Sequence, residues 1–143
     1  MIPDLIKRLE EAREGSAELD AEIALASGLY DHMRFAEADR LSIRAVSDDV
    51  AELTVHGPRG GGVIYTEYPP KFTRSVDAAL TLVPEGWRIA EMKDGIKSDR
   101  GPYCNTRLWC PANRYLGYAY PGNGATPALA LCIAALKAIG AAR

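Results

Sequence analysis

The chain has 143 residues, 48% of them hydrophobic and 25% charged, which suits one ordinary soluble domain, residues 1–143, and leaves little room for a second. A chain of this length buries roughly 68% of the surface it exposes when unfolded, so its core needs no disulfide framework or structural metal. The net charge of -2 conceals an asymmetry: residues 1–52 carry 13 acidic against 6 basic side chains, and residues 53–143 carry 6 against 11. An acidic front half and a basic back half attract each other within one fold, or the basic half faces an anionic ligand such as RNA or a nucleotide.

In chain order, Leu5, Leu9, Ala12, Leu19, Ile23 and Ala26 form one apolar stripe, predicting helix over residues 3–27. Gly15-Ser16 interrupts it, and Ser16 is a candidate cap for a restarted helix, with Gly28 as terminator. Residues 29–72 are harder to read. Leu41, Ile43 and Ala45, then Leu53 and Val55, then Val63 and Tyr65 alternate with polar neighbours, predicting a hairpin or meander. The glycine-rich Gly57 to Gly62 segment is a turn and not a phosphate loop, because no Gly-Lys-Ser/Thr follows it.

Thr73-Arg74-Ser75 precedes Val76, Ala79, Leu80 and Val83, a short amphipathic helix with Asp77 in its first turn and Pro84 just beyond its end. Strands are expected at about residues 87–92, 106–110 and 115–120. A polar loop with Asp94-Gly95 joins the first two, and a hairpin at Pro111 to Arg114 joins the last two. After the turn Pro121-Gly122-Asn123-Gly124, a final helix opens with Thr126 and Pro127 and carries Leu129, Cys132, Ile133, Leu136 and Ile139 on one face. This order predicts an α+β fold, an antiparallel sheet packed with two or three helices in a layered sandwich.

Two blocks resemble a known family. Thr73 to Trp87, with Arg74-Ser75, Asp77-Ala78-Ala79 and Thr81-Leu82-Val83-Pro84-Glu85-Gly86-Trp87, and Ala125 to Leu136 both resemble the bacteriophage and prophage αβα-sandwich domain. The first helix, with Leu5-Ile6 and Glu18 to Ala24, is similar as well, whereas residues 29–72 are not. The resemblance implies a phage-type protein of the bacterial cytoplasm and a sandwich of helices on a sheet. It transfers no catalytic residue.

No reaction follows from the residues themselves. His32 and His56 have no carboxylate or cysteine at ligand spacing, and five residues separate Cys104 from Cys110, so no metal site and no cofactor are expected. Three cysteines leave an odd one in any pairing scheme, which favours a reducing compartment. Cys110 and Cys132 read as small buried hydrophobes and Cys104 as a loop thiol. The opening Met-Ile-Pro-Asp predicts no signal peptide, and no long apolar run predicts a membrane span. Ser75 is explained by capping alone, and Glu10, Glu11, Glu14, Glu18 and Glu22 by a solvated helix face.

The candidate binding residues are Arg74, Arg107, Trp109, Arg114 and Tyr118. Arg88, Arg107 and Arg114 interleave with Trp87, Trp109, Tyr115, Tyr118 and Tyr120 as in a nucleic-acid-binding sheet, although aromatic residues are also ordinary strand formers. Three strands followed by an alanine-rich helix are similar to the back half of a double-stranded RNA-binding domain. Its phosphate-clamping lysines at the start of the last helix are replaced here by Pro127, Ala128, Leu129 and Ala130. The expected role is therefore binding a phage or host protein, with RNA or an anionic nucleotide as the alternative and a homo-oligomer left open.

Overall fold

The computed structural model describes residues 2–99, 101–110 and 120–141. Contacts divide the chain into two compact units, one of residues 1–15 and 72–143 and the other of residues 16–71. The architecture is α+β, with its strands in two antiparallel three-stranded sheets.

The first unit begins with α1 (Ile2–Glu11), which buries Leu5 and Leu9. The expected helix over 3–27 is broken where Gly15 and Ser16 interrupt it. Gly15 has a second reason to be glycine, because a Cβ there would collide with the carbonyl oxygen of Thr73. The chain returns to this unit at Phe72 and enters α3 (Val76–Leu80), whose N-cap Ser75 accepts a hydrogen bond from the Ala78 amide at 3.2 Å. Next come β4 (Arg88–Ile96), β5 (Tyr103–Trp109) and β6 (Tyr120–Gly124), paired in that order. The last element is α4 (Pro127–Ala141), capped by Thr126, whose Oγ1 accepts from the Leu129 amide.

Helix α4 is the centre of the core. Every residue from Ala128 to Leu136 is buried, so the single apolar face expected for it is in fact a helix buried almost all round. It packs on β5 and β6, with α1 and α3 against it.

Two strand boundaries depart from the sequence expectation. Pro121 to Gly124, read above as a turn, is strand β6. Gly122 and Gly124 are there for room, since a Cβ on Gly122 would lie 2.6 Å from the Ala134 nitrogen and one on Gly124 2.8 Å from the Ala130 nitrogen. Similarly, Asp94 and Gly95 belong to β4 instead of a loop. The register shifts between Lys93 and Ile96, and Gly95 takes φ +68°, a conformation open to glycine at a bulge. The part of the third predicted strand at residues 115–119, with the predicted hairpin turn, lies outside the described residues.

The second unit opens with α2 (Ala17–Ala26), restarted as expected by Ser16, whose Oγ accepts from the Leu19 amide at 3.2 Å. Gly28, at φ +86°, follows its end. The meander β1 (Arg40–Ala45), β2 (Ala51–His56) and β3 (Gly62–Glu67) then forms in the order β1-β2-β3. Ala51, Leu53 and Val55 are buried, while the opposite side of the sheet carries polar pairs, Arg44 to Glu52 at 2.7 Å and Ser42 to His56 at 2.7 Å. Helix α2 packs on β1.

Candidate binding face

Strand alternation sorts the side chains of the β4-β5-β6 sheet onto two sides. Cys104, Thr106 and Leu108 are buried on the side covered by α4, and their register partners Gly124, Gly122 and Tyr120 share that side. The opposite side presents Asn105, Arg107 and Trp109 from β5, Arg88, Glu91 and Lys93 from β4, and Pro121 and Asn123 from β6. It is open: Trp109 is 40% exposed, and the Arg107 side chain is 55% exposed.

The sequence candidates thus divide. Arg107 and Trp109 lie together on this outer side, and Arg88 is the register partner of Trp109. Arg74 lies in the turn just before α3, half-buried and with interactions of its own, so it is not a free cation. Arg114 and Tyr118 lie outside the described residues. The aromatic residues also split, since Tyr120 lies on the α4 side and stacks on Trp87 with ring centroids 5.3 Å apart and planes inclined by 45°. Of the described aromatic residues named with the arginines, Trp109 is therefore the one that pairs with exposed cations.

Glu91, Lys93, Asn105 and Asn123 complete this face and were not singled out in the sequence. Asn105 follows from the period-2 pattern running back from Arg107, whereas Glu91 and Lys93 lie past a bulge between Ile89 and Glu91, and Asn123 lies in a segment that reads as a turn. Glu91 is set among the cations, 2.8 Å from Lys93 Nζ and 3.8 Å from Arg107 Nε. The Lys93 hydrogen bond, with the positive charges of Lys93 and Arg107, holds its carboxyl below the ordinary carboxylate value. Across the strands, Asn105 Nδ2 donates to Asn123 Oδ1 at 2.6 Å. The outcome is a partly neutralised, mixed-charge surface with one aromatic ring at its edge.

A cleft of about 650 Å³ adjoins the same unit, lined by Glu10 and Glu11 at the end of α1, by Arg13 just beyond it, by Ser98 and Tyr103, and by Asn123. Among the described residues, no group of His, Cys, Asp or Glu could hold a metal ion. Cys104, expected in a loop, is instead buried in β5. Burial, and next the hydrogen bond from its Sγ to Asp94 Oδ1 at 2.9 Å, raise its thiol pKa, which opposes nucleophilic use. Cys132 is buried too and donates to the Phe72 carbonyl at 3.1 Å. No helix among the described residues is long and apolar enough to cross a membrane. No family model, no curated protein and no solved structure matches the chain.

Proposed function

We propose that the chain is a phage-type accessory factor of the bacterial cytoplasm that acts by binding, with the outer side of the β4-β5-β6 sheet as its binding surface and a protein as its partner. The observation that carries this reading is exposed Trp109, opposite Arg88 and on the same side as Arg107, on a sheet whose other side is closed by α4. Tryptophan and arginine are the residue types that most often dominate the energetics of protein interfaces. The blocks Thr73 to Trp87 and Ala125 to Leu136 support the phage-type assignment by their resemblance to the αβα-sandwich family. No reaction is assigned.

RNA is the second reading, favoured by the trio Arg88, Lys93 and Arg107 beside an aromatic ring on which a base can stack. Glu91 weighs against it, since an ionised carboxylate among the cations repels phosphate and occupies the donors that would hold it. One experiment separates the two. Titration with RNA oligonucleotides at low salt should show no binding tighter than the non-specific range of roughly 10⁻⁴–10⁻⁶ M. A partner recovered from phage-infected cells by the wild-type chain should be lost with Trp109→Ala and with Arg107→Glu. Salt-sensitive, sub-micromolar RNA binding abolished by Arg107→Ala would replace the protein reading with the RNA one.

A further inference from the structure

A sheet edge exposes unpaired amides and carbonyls, and proteins blunt such edges with charge, proline, bulges or cover. Three of the four edges here are treated in this way. Strand β1 carries Arg40 and Arg44, β4 is bulged and carries Arg88, Glu91, Lys93 and Asp94, and the short β6 is packed against α4. Strand β3 is the exception. It reads Gly-Val-Ile-Tyr-Thr-Glu, its one charge is at the end, and among the described residues it is paired with β2 alone. Val63 is 47% and Ile64 63% exposed on it, with Tyr68 just beyond at 70%.

We infer that the free edge of β3 pairs antiparallel with β3 of a second copy of this chain, about a two-fold axis at Ile64, to form a continuous six-stranded sheet. Several features select this occupant and this register. An axis perpendicular to the sheet keeps equivalent faces together only if each residue opposes one of the same parity. Centring it on Ile64 sets Ile64 against Ile64 on the outer side and Val63 against Tyr65 twice on the inner side, a β-branched to aromatic pairing that is favourable across strands. Glu67 then lies beside the Gly61 end of the other copy's β2–β3 turn, the turn that carries exposed Arg59, so opposite charges meet at both ends. Parallel pairing would instead set Glu67 beside Glu67. Exposed Tyr68 falls over Gly60 and Gly61 of the other copy, where no side chain stands in its way. Helix α2 packs on β1, at the opposite edge of the sheet.

This surface is distinct from the β4-β5-β6 face, so its test is independent of the partner assigned there. Sedimentation of the full chain should show a concentration-dependent dimer that Ile64→Lys converts to monomer; the side chain is exposed, so the circular dichroism should stay unchanged. Arg59→Glu and Glu67→Lys should each weaken the dimer by roughly tenfold, since two exposed ion pairs are reversed at once, and the double variant should restore it. In a Cys110→Ser background, Ile64→Cys should form a symmetric disulfide under mild oxidation, because facing strand residues lie within disulfide reach. Thr66→Cys should not, since it faces Gly62. A wild-type chain that stays monomeric at high concentration, or a dimer that survives Ile64→Lys, overturns the inference.

Discussion

Gly122 and Ala134 meet backbone to backbone: a Cβ on the strand glycine would lie 2.6 Å from the helix nitrogen and would strike the Ala130 carbonyl oxygen. Neither obstacle can rotate away, because both are main-chain atoms of a buried helix. Gly122→Ala should therefore push α4 off β6 and destabilise the chain by about 1–3 kcal/mol, the usual cost of overpacking a core. Chemical denaturation of the variant checks this.

Leu136 is fully buried on α4. Truncation to alanine removes its contacts and leaves a cavity, so Leu136→Ala should cost about 2–5 kcal/mol. A denaturation midpoint equal to that of the wild type would contradict the placement of α4 at the centre of the core.

The two serine caps make a matched pair. Ser16 Oγ and Ser75 Oγ each accept from an amide three residues on, at 3.2 Å. Alanine at either position should cost roughly 1 kcal/mol. Asparagine, a comparable cap, should largely restore stability, which separates capping from any other use of the hydroxyl.

Tyr30 supplies a pH prediction. Burial, and next the negative charge of Glu67, push its phenol from 10.0 up to about 12. The unfolded chain releases this proton first, so the stabilising contribution is complete below pH 10.0 and is lost as the pH climbs from there through about 12. Ultraviolet titration of tyrosinate should show one tyrosine lagging behind the exposed ones, and Glu67→Gln should reduce the lag.

What the sequence made legible was punctuation. Ser16, Ser75 and Thr126-Pro127 each announce a helix start through a side chain that acts within one turn, and the structure places a cap at each. The period-2 runs at Leu41 to Ala45, Leu53 to Val55 and Val63 to Tyr65 likewise mark the meander, because on β1 and β2 one side is more deeply buried than the other, fully so on β2. Gly122 and Gly124 misled because a glycine needed for clearance and one needed for a turn look the same along the chain; only Ala130 and Ala134 on α4 tell them apart. The binding face was half visible. Arg107 and Trp109 show their common side by alternation, whereas the pairing of Glu91 with Lys93 and Arg107 depends on a bulge that no local pattern discloses.

The contact of Gly15 with Thr73 also has a bearing on the order of events during synthesis. Residues 16–71 leave and rejoin the first unit through adjacent points, and their own meander is built from near neighbours in sequence. That meander has its strand partners as soon as it clears the ribosome. Helix α1, made before the meander, must wait for α4, since residues 2–11 rest on residues 127–141. Such distant pairing closes slowly. Leu5 and Leu9 thus lack the cover of α4 until residues 127–141 have been made, and the nascent chain carries that hydrophobic liability while everything between is synthesised.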